Sequence, residues 1–244
     1  MDDRAVAIVL AGGQGSRIRS LRPDVPKPLV SVAGEPFIEL IIRHLASQGI
    51  GQFVISLGYL ADVAERHFHQ RAADHLTIRT VREQQPLGTA GAVRWAQQQR
   101  AAEADPLIIV NGDSLVLAEL AAAWQLLADE RVDGVVLGIE VDDAARYGRI
   151  DVDGHDRLRR FSEKQPGAGL INAGVYCFRR RVLQAFPARR PLSMELDVFP
   201  QLLDSGFNIA VARCRAPFID IGTPETLCQA DAFIERHFKS GVPS

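Results

Sequence analysis

"VLAGGQGSRIRSLRPDVPKPLV", residues 9–30, decides how this chain is read. It continues an unbroken apolar run that begins at Ala5, opens into glycine, serine and arginine, and then sets a lysine between two prolines. An apolar run of that kind suits a strand buried on both faces, as in parallel sheets. In open α/β sheets ligands bind beyond the carboxyl ends of the strands, near the switch in strand order, and the glycine loop leaves the first strand at that edge. Gly12, Gly13 and Gly15 let the backbone approach an anion closely, and successive N–H groups there form a nest. Arg17 supplies forked donors that match phosphate oxygens. Lys27 adds a point charge, and Pro26 and Pro28 restrict the backbone on either side of it. Together these residues suit a nucleoside triphosphate. The loop is not a P-loop, which needs G-x-x-x-x-G-K-[ST], nor the dinucleotide fingerprint, because Ser16-Arg17-Ile18 follows Gly15 with no third glycine. A nicotinamide-dependent oxidoreductase fails on that missing glycine. A glycine-rich turn after a strand is by itself also an ordinary tight turn; "SR" and "PKPL" set this one apart.

Outward from the loop, apolar runs alternate with amphipathic stretches of helical length. Residues 6–10, 52–57, 76–81, 106–110 and 134–139 read as strands. Between them "PFIELIIRHLASQG", "LADVAERHFHQRA", "TAGAVRWAQQQRA" and "VLAELAAAWQLLADE" read as helices, the first with Pro36 near its first turn and Gly49 at its end. The βα alternation predicts an α/β fold: a Rossmann-like, mostly parallel mixed sheet flanked by helices. After about residue 145 the rhythm changes. "YGRIDVDGHDRLRRFSEK" reads as a hairpin turning at "DG", and "LINAGVYCF" as another strand. "SMELDVFPQLLDSG" starts a helix at Ser193, and the last helix starts with Thr223 as N-cap and Pro224 at its first position. These later strands are expected to complete the sheet and to wall one side of a cleft. No linker or repeat interrupts the 244 residues, and no hexapeptide repeat of the β-helix type is present. The expectation is one domain over 1–244, with a nucleotide-binding half at roughly 1–140 and a second half at 141–244.

Composition narrows the classes. Hydrophobic residues make up 47% of the chain and the formal net charge is −2, so there is a substantial core and no basic footprint for nucleic acid. No apolar run approaches a membrane span, and "MDDRAVAIVL" is not a signal peptide. Cys177, Cys214 and Cys228 are odd in number and widely spaced, which fits free, buried thiols in a reducing cytoplasm. The six histidines are scattered and none is assigned a role.

With these residues in view, "LAGGQGSR…PKPLV" resembles the signature of the sugar-1-phosphate nucleotidyltransferases. The likeness continues in order through "EQQPLGTAGAV", "NGDS", "RYGRI", "FSEK", "INAGVYCF", "MELDVFP" and "FIDIGTPE", nearly the whole chain. Within that family "RSLRPDVPKPLVSVAGEPFI", "PLGTAGAV" and "FIDIGTPE" are most similar to D-glycero-D-manno-heptose 1-phosphate guanylyltransferases. The resemblance implies Mg²⁺ as cofactor, GTP and a heptose 1-phosphate (including a 6-deoxy form) as substrates, and GDP-heptose and pyrophosphate as products. Surface polysaccharide biosynthesis in the cytoplasm follows from it, with no nucleic acid or membrane partner. The oligomeric state stays open, a homo-oligomer included. Mannose 1-phosphate guanylyltransferases and short uridylyltransferases of the same family remain alternatives. A non-catalytic nucleotide-sugar sensor fits less well, because Arg17, Lys27, Asp113, Lys164 and Asp220 are all kept.

The same resemblance assigns residues. Leu10, Ala11, Gly12, Gly13, Gly15 and Ser16 cradle the nucleotide, with Gly112 near it, and Gly88 and Thr89 lie in the loop over the base. Glu83 is a candidate acceptor for guanine N1 and N2 protons; a solvated charge beside Arg82 is the other reading. Asp113 and Asp220 each stand at a strand end by pattern, where an aspartate also serves as a turn or N-cap residue. The resemblance, not the spacing, pairs them as Mg²⁺ ligands, and Mg²⁺ commonly takes few protein ligands and keeps its waters. Lys164 is to hold the sugar phosphate, Glu163 and Asn172 the sugar hydroxyls, and Gly148 a close backbone approach. Arg17 and Lys27 would stabilise charge on the pyrophosphate side. Gln165 stands before Pro166 where many relatives read Glu-Lys-Pro. Glu195 reads either as a sugar contact or as a first-turn acid of its helix. Arg146, Arg149, Arg159 and Arg160 read as solvated surface charges.

Overall fold

The strand predicted at the start forms as β1 (Val6–Ala11), and its side chains divide between two cores. Ala7, Val9 and Ala11 face one, Val6 and Ile8 the other, which is why the run carries no polar alternation. In the computed structural model the described residues are 5–15, 17–18, 23–71, 75–100, 103–162 and 165–238. After β1 come a small antiparallel pair, β2 (Ser31–Val32) and β3 (Glu35–Pro36), then α1 (Phe37–Ser47), β4 (Gln52–Leu57), α2 (Ala61–Gln70), β5 (Thr77–Arg82), α3 (Thr89–Arg100) and β6 (Leu107–Asn111). The chain continues through β7 (Ser114–Val116), α4 (Ala121–Leu127), β8 (Gly134–Val141), β9 (Arg149–Val152), β10 (Leu158–Ser162) and β11 (Gly169–Phe178). It ends with α5 (Arg180–Gln184), a π-wound turn (Met194–Val198), α6 (Phe199–Asp204), β12 (Ile209–Cys214), β13 (Phe218–Asp220) and α7 (Pro224–His237).

Strands β5, β4, β1 and β6 pair in that order, all parallel. The chain runs outward from β1 to β5 and then returns through α3 to β6 on the other side of β1. The topological switch point therefore falls between β1 and β6. Beyond β6 the sheet turns mixed: β11 is antiparallel to β6 and to β8, and β12 runs parallel to β8. The β9–β10 hairpin joins β11 at Ile171, beyond the point where β6 has ended at Asn111. Helices α1, α2, α4 and α7 cover one face and α3, α5 and α6 the other. In α1 the buried Ile38, Ile41, Ile42 and Leu45 form one stripe. In α7 Thr223 and Thr226 make a reciprocal capping box with Pro224 at the first position, as the sequence predicts.

Two expectations need correction, those for the fourth helix and the cysteines, and two hold with a refinement, those for the hairpin and the helix at Ser193. The fourth helix spans only Ala121–Leu127, because Ser114–Val116 is taken up by β13, with Val116 opposite Phe218 and Leu117 N–H donating to Pro217 O (2.9 Å). The hairpin does turn after Val152, but the left-handed residue is Asp156 (φ 53°), and Asp153 Oδ1 accepts the amides of His155 and Arg157. The helix capped by Ser193 begins with a π turn; Pro200 has no N–H to donate back to Leu196, and the amide of Phe199 reaches Met194 O instead. Of the cysteines, Cys177 is buried, which pushes its thiol up to about 12, whereas Cys228 is exposed. Among the described residues no helix is long and apolar enough to cross a membrane.

Candidate active site

The loop after β1 lies beside the ends of β4, β5 and β6, and these edges enclose a cleft of about 320 Å³. Leu10, Ala11, Gly12, Gly13, Lys27, Glu83, Gly88, Thr89, Asn111 and Asp113 line it. The strand ends approach closely. A Cβ on Gly12 would fall 2.3 Å from Glu83 Oε1, so any larger residue there would displace the Glu83 carboxylate. Gly112 N–H donates to Leu10 O (2.9 Å) and locks the β6 end to the β1 end. Glu83 is braced: Ser56 Oγ donates to Oε1 and Leu87 N–H to Oε2, both at 3.2 Å. Burial pushes its carboxyl above the usual glutamate range, against those two hydrogen bonds. It is therefore no solvated partner of Arg82, whose guanidinium pairs with Asp62 instead (2.6 Å).

Gly88 has φ 76°, and a Cβ there would lie 2.4 Å from Leu192 O. The missing side chain thus admits the backbone at Leu192, which donates to Leu87 O (2.8 Å) and accepts from Ala90 N–H (3.0 Å). Thr89 Oγ1 accepts from Met194 N–H (2.9 Å). The loop expected over the base is thereby stitched to the segment that begins the second half's helix, a contact that no local pattern announces.

A second cleft, about 460 Å³, adjoins the first, and Asn111 and Asp113 line both. Arg17, Arg146, Tyr147, Gly148, Asn172, Asp220 and Thr223 complete its wall. Two predicted acids meet here for a topological reason: β13 pairs antiparallel with β7, Asp220 stands opposite Ser114, and Ile221 N–H donates to Asp113 O (2.9 Å). Asp113 Oδ2 accepts from Lys27 Nζ at 2.6 Å, and Oδ1 accepts from Ser114 Oγ. Asp220 Oδ1 accepts from Gly222 N–H and Oδ2 from Tyr147 Oη–H, each at 2.9 Å. Burial, and then the Asp220 charge, push the Tyr147 phenol up to about 12, so it stays a donor. Among the described residues no group of three or more His, Cys, Asp or Glu side chains converges. Two carboxylates with room for ligand oxygens and water suit a hard divalent cation rather than zinc or iron.

Two arginines depart from the surface reading. Arg146 lines the second cleft, 3.9 Å from Asp220 Oδ2 and 3.4 Å from Thr223 Oγ1. Arg149 donates to Ala168 O (2.6 Å) and holds the β9–β11 junction. Arg159 and Arg160 are exposed, paired with Asp153 and Asp151. Arg17 falls on the wall of the second cleft with the two acids, not in the first. A Cβ on Gly148 would meet nothing within 4 Å, so its Cα faces open space. Gly15 packs its backbone against the Lys27 stem. Ser16, Glu163 and Lys164 lie outside the described residues.

Asn172 is held from behind. Its Nδ2 donates to Tyr176 Oη (2.7 Å) and to Glu195 Oε1 (3.4 Å), and Tyr176 Oη–H donates to the same carboxylate oxygen (3.2 Å). Tyr176 is fully buried against Phe178 and Phe199, and its phenol is pushed far up, by burial first and by the Glu195 charge second. Glu195 thus hydrogen-bonds Asn172, in addition to standing in a helix first turn. Asn111, Tyr147 and Tyr176 were missed as site residues, although each stands inside or beside a motif that the sequence offered.

A family model described as nucleotidyl transferase matches residues 6–237. The chain is 30% identical to a D-glycero-alpha-D-manno-heptose 1-phosphate guanylyltransferase from Aneurinibacillus thermoaerophilus, over 95% of this chain and 99% of that one. It is 34% identical to a mannose-1-phosphate guanylyltransferase from Mycobacterium tuberculosis, over 94% of this chain but only 64% of that relative's length. Among solved structures, HddC from Yersinia pseudotuberculosis complexed with GMP-PN superposes with a TM-score of 0.81 at 32% identity, covering 93% of this chain and 98% of that one.

Proposed function

The chain belongs to the nucleotidyl transferase family, and from that premise we propose that it transfers GMP from GTP to a D-glycero-D-manno-heptose 1-phosphate, releasing pyrophosphate. One observation carries this reading: two clefts, one at the glycine loop and one at the β9–β11 side, share Asn111 and Asp113. That is the arrangement needed for a nucleotide and a second phosphorylated substrate to meet at one point. The heptose reading is favoured over mannose by "RSLRPDVPKPLVSVAGEPFI", "PLGTAGAV" and "FIDIGTPE", which are most similar to the heptose 1-phosphate guanylyltransferases.

In this reading GTP enters the first cleft with its base beside Glu83, whose oxygens each keep a lone pair for guanine N1–H and N2–H. The sugar 1-phosphate enters the second cleft, its hydroxyls at Asn172 and Gly148, with Glu163 and Lys164 assigned to it from their motif. A phosphate oxygen of the sugar attacks the α-phosphorus in line with the departing pyrophosphate. No general base is needed, because a phosphate monoester with second pKa of about 6 is already largely a dianion at neutral pH. The difficulty is bringing two polyanions together, so positioning and charge neutralisation dominate. Asp113 and Asp220 would hold Mg²⁺, which supplies charge neutralisation at the phosphates when bound. Arg17 and Arg146, on the second cleft's wall, extend the positive surface to the sugar phosphate.

A coupled pyrophosphate-release assay with four nucleoside triphosphates and a panel of hexose and heptose 1-phosphates tests the proposal. The fastest turnover is expected with GTP and a heptose 1-phosphate. Fastest turnover with mannose 1-phosphate transfers the assignment to the second reading, and no release with any pair removes both.

A further inference from the structure

We propose that Lys27 is a placeholder for the divalent cation: it neutralises Asp113 while the metal is absent and is handed to the nucleotide's phosphates when metal and triphosphate arrive together. The inference rests on the function proposed above, and it concerns the order in which that site fills.

The geometry points to it directly. The Lys27 ammonium sits 2.6 Å from Asp113 Oδ2, one of the oxygens a cation needs. The lysine side chain is only 10% exposed, whereas the aspartate is 41% exposed and faces both clefts. The ammonium also lies 3.5 Å from where a Cβ on Gly222 would stand, next to the loop that holds Asp220. Its stem is held against Gly15, where a Cβ would come 3.1 Å from Lys27 Cβ. Asp220 has a looser counterpart in Arg146, at 3.9 Å. Two carboxylates are thus balanced by two single cations belonging to the chain. A divalent ion replaces that charge, and Lys27 is then free to swing into the nucleotide cleft it already lines, as Arg146 is into the other.

The residue type supports the exchange. The chain has 28 lysines and arginines, of which only three are lysine: Lys27, Lys164 and Lys239. Elsewhere the surface uses arginine, whose fork binds a carboxylate in two places. A lysine holds Asp113 as a single point charge on a flexible stem and surrenders it more easily. A tethered ammonium competes with free metal at a high effective concentration. Metal without nucleotide therefore binds weakly, and metal and triphosphate strengthen each other's binding reciprocally.

Mn²⁺ titration of the full chain without nucleotide, followed by electron paramagnetic resonance, tests this. Lys27→Met is expected to bind Mn²⁺ about tenfold more tightly than the wild type, since an ion-assisted hydrogen bond no longer competes. The gain should vanish in Lys27→Met/Asp113→Asn. Equal or weaker Mn²⁺ binding by Lys27→Met overturns the proposal. Should that variant fail to fold, acylation of the wild type decides instead, with Lys239 as internal reference. Lys27 modification should rise several-fold when saturating Mg²⁺ alone is added to the metal-free protein, and fall again when a non-hydrolysable GTP analogue is added with it; an unchanged Lys27 rate overturns the proposal. Both readouts are independent of turnover, so failure of the guanylyltransferase reading shows separately in the pyrophosphate assay.

Discussion

Glu83 and Tyr147 are each fixed by burial and by named hydrogen bonds, and each offers a test of the proposed site at the scale of one side chain. The raised carboxyl of Glu83 means that its charged form is penalised by burial in the folded chain. For an acid shifted upward, the penalty is absent below the unfolded value, 4.5, and complete above the folded value. Glu83→Gln removes the penalty, so its stability relative to the wild type should improve as pH rises from 4.5 through the folded value. Urea midpoints of both proteins at acid and neutral pH check the sign. The same variant should lose much of the preference for GTP over UTP; unchanged selectivity removes Glu83 from the base site. Tyr147 acts through Asp220. Tyr147→Phe deletes a hydrogen bond to a charged acceptor, worth about 1.5–3 kcal/mol. The Mg²⁺ concentration giving half-maximal rate should rise about tenfold, with kcat at saturating Mg²⁺ nearly kept. A merely structural tyrosine would lower stability without moving that titration.

At the scale of elements, the boundary between base loop and second half is the sensitive joint. Gly88 is left-handed and touches the Leu192 backbone, so Gly88→Ala meets both torsional strain and a clash. A loss of about 2 kcal/mol or more is expected from such a substitution, read from denaturant unfolding, together with a raised KM for GTP. A compensating shift of the Leu192 segment would show as lost stability with unchanged KM. The glycine was legible in the sequence as a place of close approach, but its partner was not, because Leu192 is far away in the chain. The long fourth helix was misread for the same reason. Val116 and Leu117 have no local signal that distinguishes them from a helix start; the pairing of Val116 with Phe218 and of Leu117 N–H with Pro217 O decides their conformation. By contrast, α1 and α7 carry their own stripes, caps and stop residues, and were readable from local chemistry.

At the scale of the molecule, the switch point between β1 and β6 and the β7–β13 pair bring two distant acids to one place. If both serve one metal, their losses should not add. Asp113→Asn and Asp220→Asn are each expected to reduce kcat on the order of 10²–10³, and the double variant to lose little more than the worse single one. Multiplying losses in steady-state kinetics would place the two acids in separate functions. The sequence by itself determined the α/β class and the glycine loop at the first strand end, and it offered most of the charged residues that line the two clefts, because strand burial, glycine sterics and charge are written locally. Only the tertiary structure decided that Lys27 sits on Asp113, that Glu195 joins Asn172 and Tyr176, and that Arg146 belongs to a cleft wall. Those contacts join segments that are far apart in the chain, and no local preference specifies which distant partner a charge will find once the sheet has closed.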